Sequence, residues 1–73
     1  MFEKVCEVLS EFTDIEVSNM RLDTDLLNDL EINSLEIMEA VIRFEEEFKI
    51  EIPDRKISSF HTIGDIVNYI NDF

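Results

Sequence analysis

The sequence predicts an all-α fold: a small four-helix bundle, three main helices plus one short helix, with a long loop between helices one and two. The 73 residues suffice for one domain, residues 1–73, with one modest core. Apolar residues recur at helical spacing in three segments, and the longest of these contains neither Gly nor Pro.

Helix one is expected over residues 2–13, where Val5, Val8, Leu9 and Phe12 share a face opposite Glu3, Lys4, Glu7 and Glu11. From Thr13 to Ile32 the periodicity breaks. Ile15, Val17, Met20, Leu22, Leu26, Leu27 and Leu30 nevertheless make this connection too apolar for a disordered linker, and its leucines are expected to seal one end of the bundle. Helix two runs from Ser34 to about Lys49. Asn33 can accept a first-turn N–H, Glu36 stands three positions later as in a capping box, and Lys49 suits the negative end of the helix dipole. Pro53-Asp54 turns the chain and starts a short helix through Ile57. Thr62 and Asp65 open the last helix, where Ile63, Ile66, Val67 and Ile70 face inward as far as about Asn71. Gly64, near its start, is a poor helix former.

Helix two has one apolar face too many. At about 100° per residue, Ile37, Val41, Phe44 and Phe48 fall in one sector with small Ala40 beside them. Leu35, Met38 and Ile42 form a second sector roughly 130° away, rimmed by Glu39, Glu45 and Glu46. The second stripe either packs under the long loop or lies exposed as a docking surface, with desolvated anchors at its centre and steering charge at its edge.

Eighteen acidic residues against six basic ones give a net charge of -12. That charge repels nucleic acid and anionic lipid and favours basic patches on other proteins. Cys6 is the only cysteine, which rules out a disulfide framework and suits a small core residue in helix one. No stretch approaches membrane-spanning length and no leader is visible, so a cytoplasmic, soluble monomer without membrane attachment is expected.

A chain this small has no room for an enclosed active site, and the sole histidine, His61, neighbours neither Cys6 nor Ser34 in sequence. No enzyme is expected. Asp23, Asp25, Asn28, Asp29 and Glu31 lack the central Gly of a calcium loop and place Leu27 at a ligand position, so no metal site is expected beyond loose binding of divalent cations to clustered carboxylates. Ser34 remains: an accessible hydroxyl without a base, at the head of the two-faced helix. It either caps the helix and nothing more, or it is a place of attachment.

The ordered set Asp29-Leu30, Asn33-Ser34-Leu35, Glu45-Glu46-Glu47-Phe48, Glu51-Ile52-Pro53-Asp54 and Thr62-Ile63-Gly64-Asp65-Ile66-Val67-Asn68-Tyr69-Ile70 resembles the acyl carrier protein family, and more broadly the phosphopantetheine-bearing carrier domains, over nearly the whole chain. The resemblance implies that a phosphopantetheinyl transferase attaches 4′-phosphopantetheine from coenzyme A to Ser34, and that acyl groups ride as thioesters on the arm. It implies a partner surface at Asn33, Leu35, Glu36, Met38, Glu39, Ile42, Glu45 and Glu46 for acyl-processing enzymes with basic docking patches. It also implies an acyl pocket lined by Ala40, Val41, Phe44, Phe60 and Ile66.

The family most often has Asp before the serine, preceded by Gly and a small residue; here Glu31, Ile32 and Asn33 stand there. Asn33 keeps the capping ability and loses the charge. Ile32 is expected to add exposed apolar surface beside Ser34. Fatty acid or related specialised (polyketide-like) biosynthesis is the leading setting. An aminoacyl or D-alanyl carrier stays open, as does an unmodified acidic interaction module, while the Glu-rich second helix favours acyl cargo.

Overall fold

The computed structural model describes residues 1–72; Phe73, the last residue of the expected domain, lies outside the described residues. Among the described residues four α-helices follow in order: α1 (Phe2–Leu9), α2 (Ser34–Phe48), α3 (Asp54–Ile57) and α4 (Ile63–Asn71), with a 3-10 turn at Val17–Asn19 in the long connection. α1 packs on both α2 and α4, and α3 leans on α2. Val5, Leu9, Leu26, Ile32, Phe44, Ile63 and Ile66 are among the fully buried side chains of the single core cluster.

α1 ends four residues before the position its periodicity suggests. The Ser10 hydroxyl donates back to the Glu7 carbonyl, and the N–H groups of Glu11 and Phe12 donate to the carbonyls of Val8 and Leu9, three residues back. These shorter bonds tighten the chain out of the α-helix. Phe12 still packs against the core, partly buried.

The long connection is structured by being stitched to the start of α4. An isolated antiparallel bridge joins Asp25 to Thr62. Around it, the Leu26 N–H donates to the His61 carbonyl at 2.9 Å, Ile63 N–H to Thr24 at 3.1 Å and Gly64 N–H to Leu22 at 2.8 Å. Met20, Leu26, Leu30 and Ile32 are buried, whereas Leu22 and Leu27 stay exposed, so the expectation that the leucines seal the core holds only for Leu26 and Leu30. The acidic side chains of this loop cap turns: Asp25 Oδ1 accepts the N–H groups of Leu27 and Asn28, and Asp29 Oδ2 accepts that of Asp25.

α2 ends at Lys49, which adopts the left-handed conformation at φ 56° and ψ 50°. The Glu45 carboxylate then reaches forward to accept the Ile52 N–H at 2.7 Å, fixing the turn into α3. Exposed ion pairs join α2 to α1 through Lys4–Glu47 and to the turn after α1 through Arg43–Glu11, and the hydrogen bonds to these carboxylates raise the pKa of both basic groups. Pairs this exposed contribute little to stability. Cys6 is buried, and that burial, with Glu3 nearby, pushes its thiol pKa up, as suits an inert core residue.

Candidate functional site

Ser34 is the first residue of α2, and both sides of it are held. Behind it, Asn33 and Glu36 form the full capping box: the Asn33 side-chain oxygen Oδ1 accepts the Glu36 N–H at 2.8 Å and the Glu36 carboxylate accepts the Asn33 N–H at 3.1 Å. Before it, Ile32 is 0% exposed and donates its N–H to the Leu26 carbonyl at 2.9 Å. The expectation that Ile32 adds exposed apolar surface is therefore corrected. Glu31 stands in the left-handed region at φ 57°, and that reversal of the backbone turns the next side chain into the core. Ser34 itself is exposed.

An open, mainly apolar groove of about 350 Å³ begins at Ser34. Leu27, Ile37, Met38, Ile57 and Phe60 supply its apolar lining, and Asp54, Ser58 and His61 its polar rim. Of the five residues expected to line an acyl pocket, only Phe60 borders this groove. Ala40, Val41 and Phe44 of α2 and Ile66 of α4 are instead buried in the core cluster, on the faces that these two helices turn inward. His61, Leu27 and Asp54 are brought to Ser34 from three separate segments. No local pattern in the sequence signals this; the bond between Leu26 and His61 makes it.

The second stripe of α2 is open to solvent: Leu35 is 66% exposed, Met38 48% and Ile42 55%. The loop does not cover it. Glu39 and Glu46 flank it and are exposed, whereas Glu36 and Glu45 are partly buried and already hold backbone N–H groups. Of the expected partner residues, then, Leu35, Met38, Glu39, Ile42 and Glu46 are free to meet another surface, and Asn33, Glu36 and Glu45 also have structural work within the fold.

A second depression of about 440 Å³ is lined by Glu11, Asp14, Asp29, Glu31 and Glu36 with Phe12, Thr13, Ile15 and Leu30. Its carboxylates make it hostile to an acyl chain. No group of side chains among the described residues is arranged to hold a metal ion, and no helix of the described residues is long and apolar enough to cross a membrane.

These residues fit a phosphodiester-linked arm. A reachable hydroxyl sits at the first turn of a 15-residue helix, where the dipole and first-turn N–H groups favour an anion, and an apolar groove opens beside it. The comparisons agree with the geometry. A family model described as the phosphopantetheine attachment site matches residues 3–70. The chain is 36% identical over 70 residues to an acyl carrier protein from Clostridium acetobutylicum, covering 96% of this chain and 91% of that protein. It is 33% identical over 72 residues to one from Clostridium perfringens, covering 99% and 95%. A solved acyl carrier protein from Enterococcus faecalis superposes with a TM-score of 0.84 at 32% identity, covering 97% of this chain and 90% of that one. With its serine at the head of a two-faced acidic helix, this chain belongs to the acyl carrier protein family of 4′-phosphopantetheine-bearing domains, which are carriers and not enzymes.

Proposed function

We propose that Ser34 is the attachment point of 4′-phosphopantetheine and that the chain shuttles acyl intermediates between enzymes of fatty acid or related specialised, polyketide-like, biosynthesis. The observation that carries this is the exposed Ser34 hydroxyl, held by the Asn33–Glu36 capping box at the mouth of an apolar groove. In the loading step the Ser34 Oγ–phosphorus bond forms, the bond to the nucleotide half of coenzyme A breaks, adenosine 3′,5′-bisphosphate leaves, and the hydroxyl proton passes to the transferase. When bound, the arm's terminal thiol supplies the thioester link to the cargo.

The chain's own residues do the rest. Leu27, Ile37, Met38, Ile57 and Phe60 offer apolar shelter for the first part of a cargo chain. Leu35, Met38 and Ile42 form the anchors on which a processing enzyme docks, with Glu39 and Glu46 steering its basic patch. Incubation with coenzyme A and a promiscuous phosphopantetheinyl transferase adds the mass of one arm, and Ser34→Ala abolishes the gain. A folded wild-type protein that gains no mass overturns the proposal. Loading by a malonyl transferase, set against loading by an amino-acid-adenylating enzyme, separates acyl from aminoacyl cargo.

A further inference from the structure

The chain carries six Lys and Arg residues against eighteen carboxylates, and a phosphodiester on Ser34 would add one more anion to this surface. None of the six lines the groove that starts at Ser34. The one group there able to carry positive charge is His61, at the polar rim with Asp54 and Ser58. Its backbone is pinned on both sides: the N–H donates to Asp65 Oδ2 at 2.9 Å and the carbonyl accepts from Leu26 at 2.9 Å. His61 is therefore anchored at the rim by its main chain, and its exposed side chain is left out of the fold's own hydrogen bonds named above.

Resting on the reading of Ser34 as the attachment point, we propose that the His61 imidazole is a positioning residue for the Ser34-linked phosphodiester: it donates a hydrogen bond to a phosphate oxygen and, when protonated, supplies the local countercharge. This contact holds the root of the arm over the groove rather than toward the acidic depression lined by Glu31 and Glu36. Imidazolium and phosphodiester form a charge-assisted pair, stronger than a neutral hydrogen bond. The carboxylates beside His61 are Asp54 of α3, which shares the groove rim with it, and Asp65 of α4, which accepts its N–H. Both are acidic, so neither supplies a rival cation.

The test uses the arm-bearing protein, prepared as above and verified by intact mass, with phosphorus NMR. His61→Gln is expected to displace the phosphodiester resonance relative to wild type, and nuclear Overhauser contacts are expected between the His61 ring and the first methylene of the arm. Arg55→Gln, which removes a nearby cation outside the groove, is expected to leave the resonance in place. An unmoved resonance in His61→Gln, or an equal displacement by Arg55→Gln, overturns the role of His61 while the mass gain keeps Ser34 as the attachment point. No mass gain in folded protein overturns both.

Discussion

The Gly64 N–H donates to the Leu22 carbonyl at 2.8 Å, and a β-carbon built on Gly64 would lie 2.8 Å from that same oxygen. The glycine that looks out of place in a helix is what lets the long loop lie against α4. Gly64→Ala is expected to destabilise the protein by about 1–3 kcal/mol, since the clash is with backbone and outweighs a helix-propensity gain of about 1 kcal/mol. Urea unfolding measures it; an unchanged or raised midpoint contradicts the account.

Asn33→Asp keeps the side-chain oxygen that caps α2 and adds a negative charge beside its N-terminus, where the dipole favours it. Stability should stay the same or rise by a few tenths of a kcal/mol. The rate of Ser34 modification by a transferase that prefers Asp before the serine should increase, whereas Asn33→Ala should cost about 1 kcal/mol of stability. Thermal melts and a time course of mass gain check both.

Glu45 and Glu46 are adjacent yet have different jobs. Glu45→Ala removes the acceptor of the Ile52 N–H and should cost about 1–2 kcal/mol. Glu46→Lys, together with Glu39→Lys, should leave the melting temperature nearly unchanged while weakening binding to a basic partner enzyme, most strongly at low salt. A large loss of stability from Glu46→Lys would mean that the stripe is not a free surface.

The Asp65 carboxyl is held below the usual carboxylate range. The His61 N–H is the main cause, joined by the N–H and hydroxyl of Thr62 and opposed by partial burial. A depressed folded pKa contributes stability above the unfolded Asp value of about 4, and that contribution is lost as pH falls through the folded value. Asp65→Asn should therefore cost about 0.5–1 kcal/mol at pH 7 and progressively less toward pH 3, as unfolding titrations at the two pH values will show.

Net charge of -12 makes the fold repel itself. Millimolar magnesium or calcium should raise the melting temperature by mass action on clustered carboxylates such as those of Glu11, Asp14, Asp29, Glu31 and Glu36. Sodium chloride at matched ionic strength should raise it less, because it screens without bridging. Equal effects would show that screening accounts for the whole gain.

Much of the site was legible in the chain because its signals are local. The capping residues Asn33 with Glu36 and Thr62 with Asp65 mark two helix starts, and both capping boxes form. The two faces of α2 follow from spacing alone, and both are where the period puts them: Ile37, Val41 and Phe44 buried, Leu35, Met38 and Ile42 exposed. Pro53 announces α3.

Other features depend on contacts between distant segments, and no window of sequence contains them. Whether Ile32 faces water or core turned on the left-handed backbone of Glu31, which residue type alone does not reveal. The groove at Ser34 exists because the bond between Leu26 and His61 ties the loop to α4 and carries Leu27 and His61 to the same place. Helical periodicity and capping chemistry act over one or two turns, so the chain's order of residues was enough to specify its helices, its spare apolar face and Ser34 at its head. Which loop leucines are buried, which side chains surround that serine and why Gly64 must stay small were decided only when loop and α4 came together, since pairing across the fold sets them.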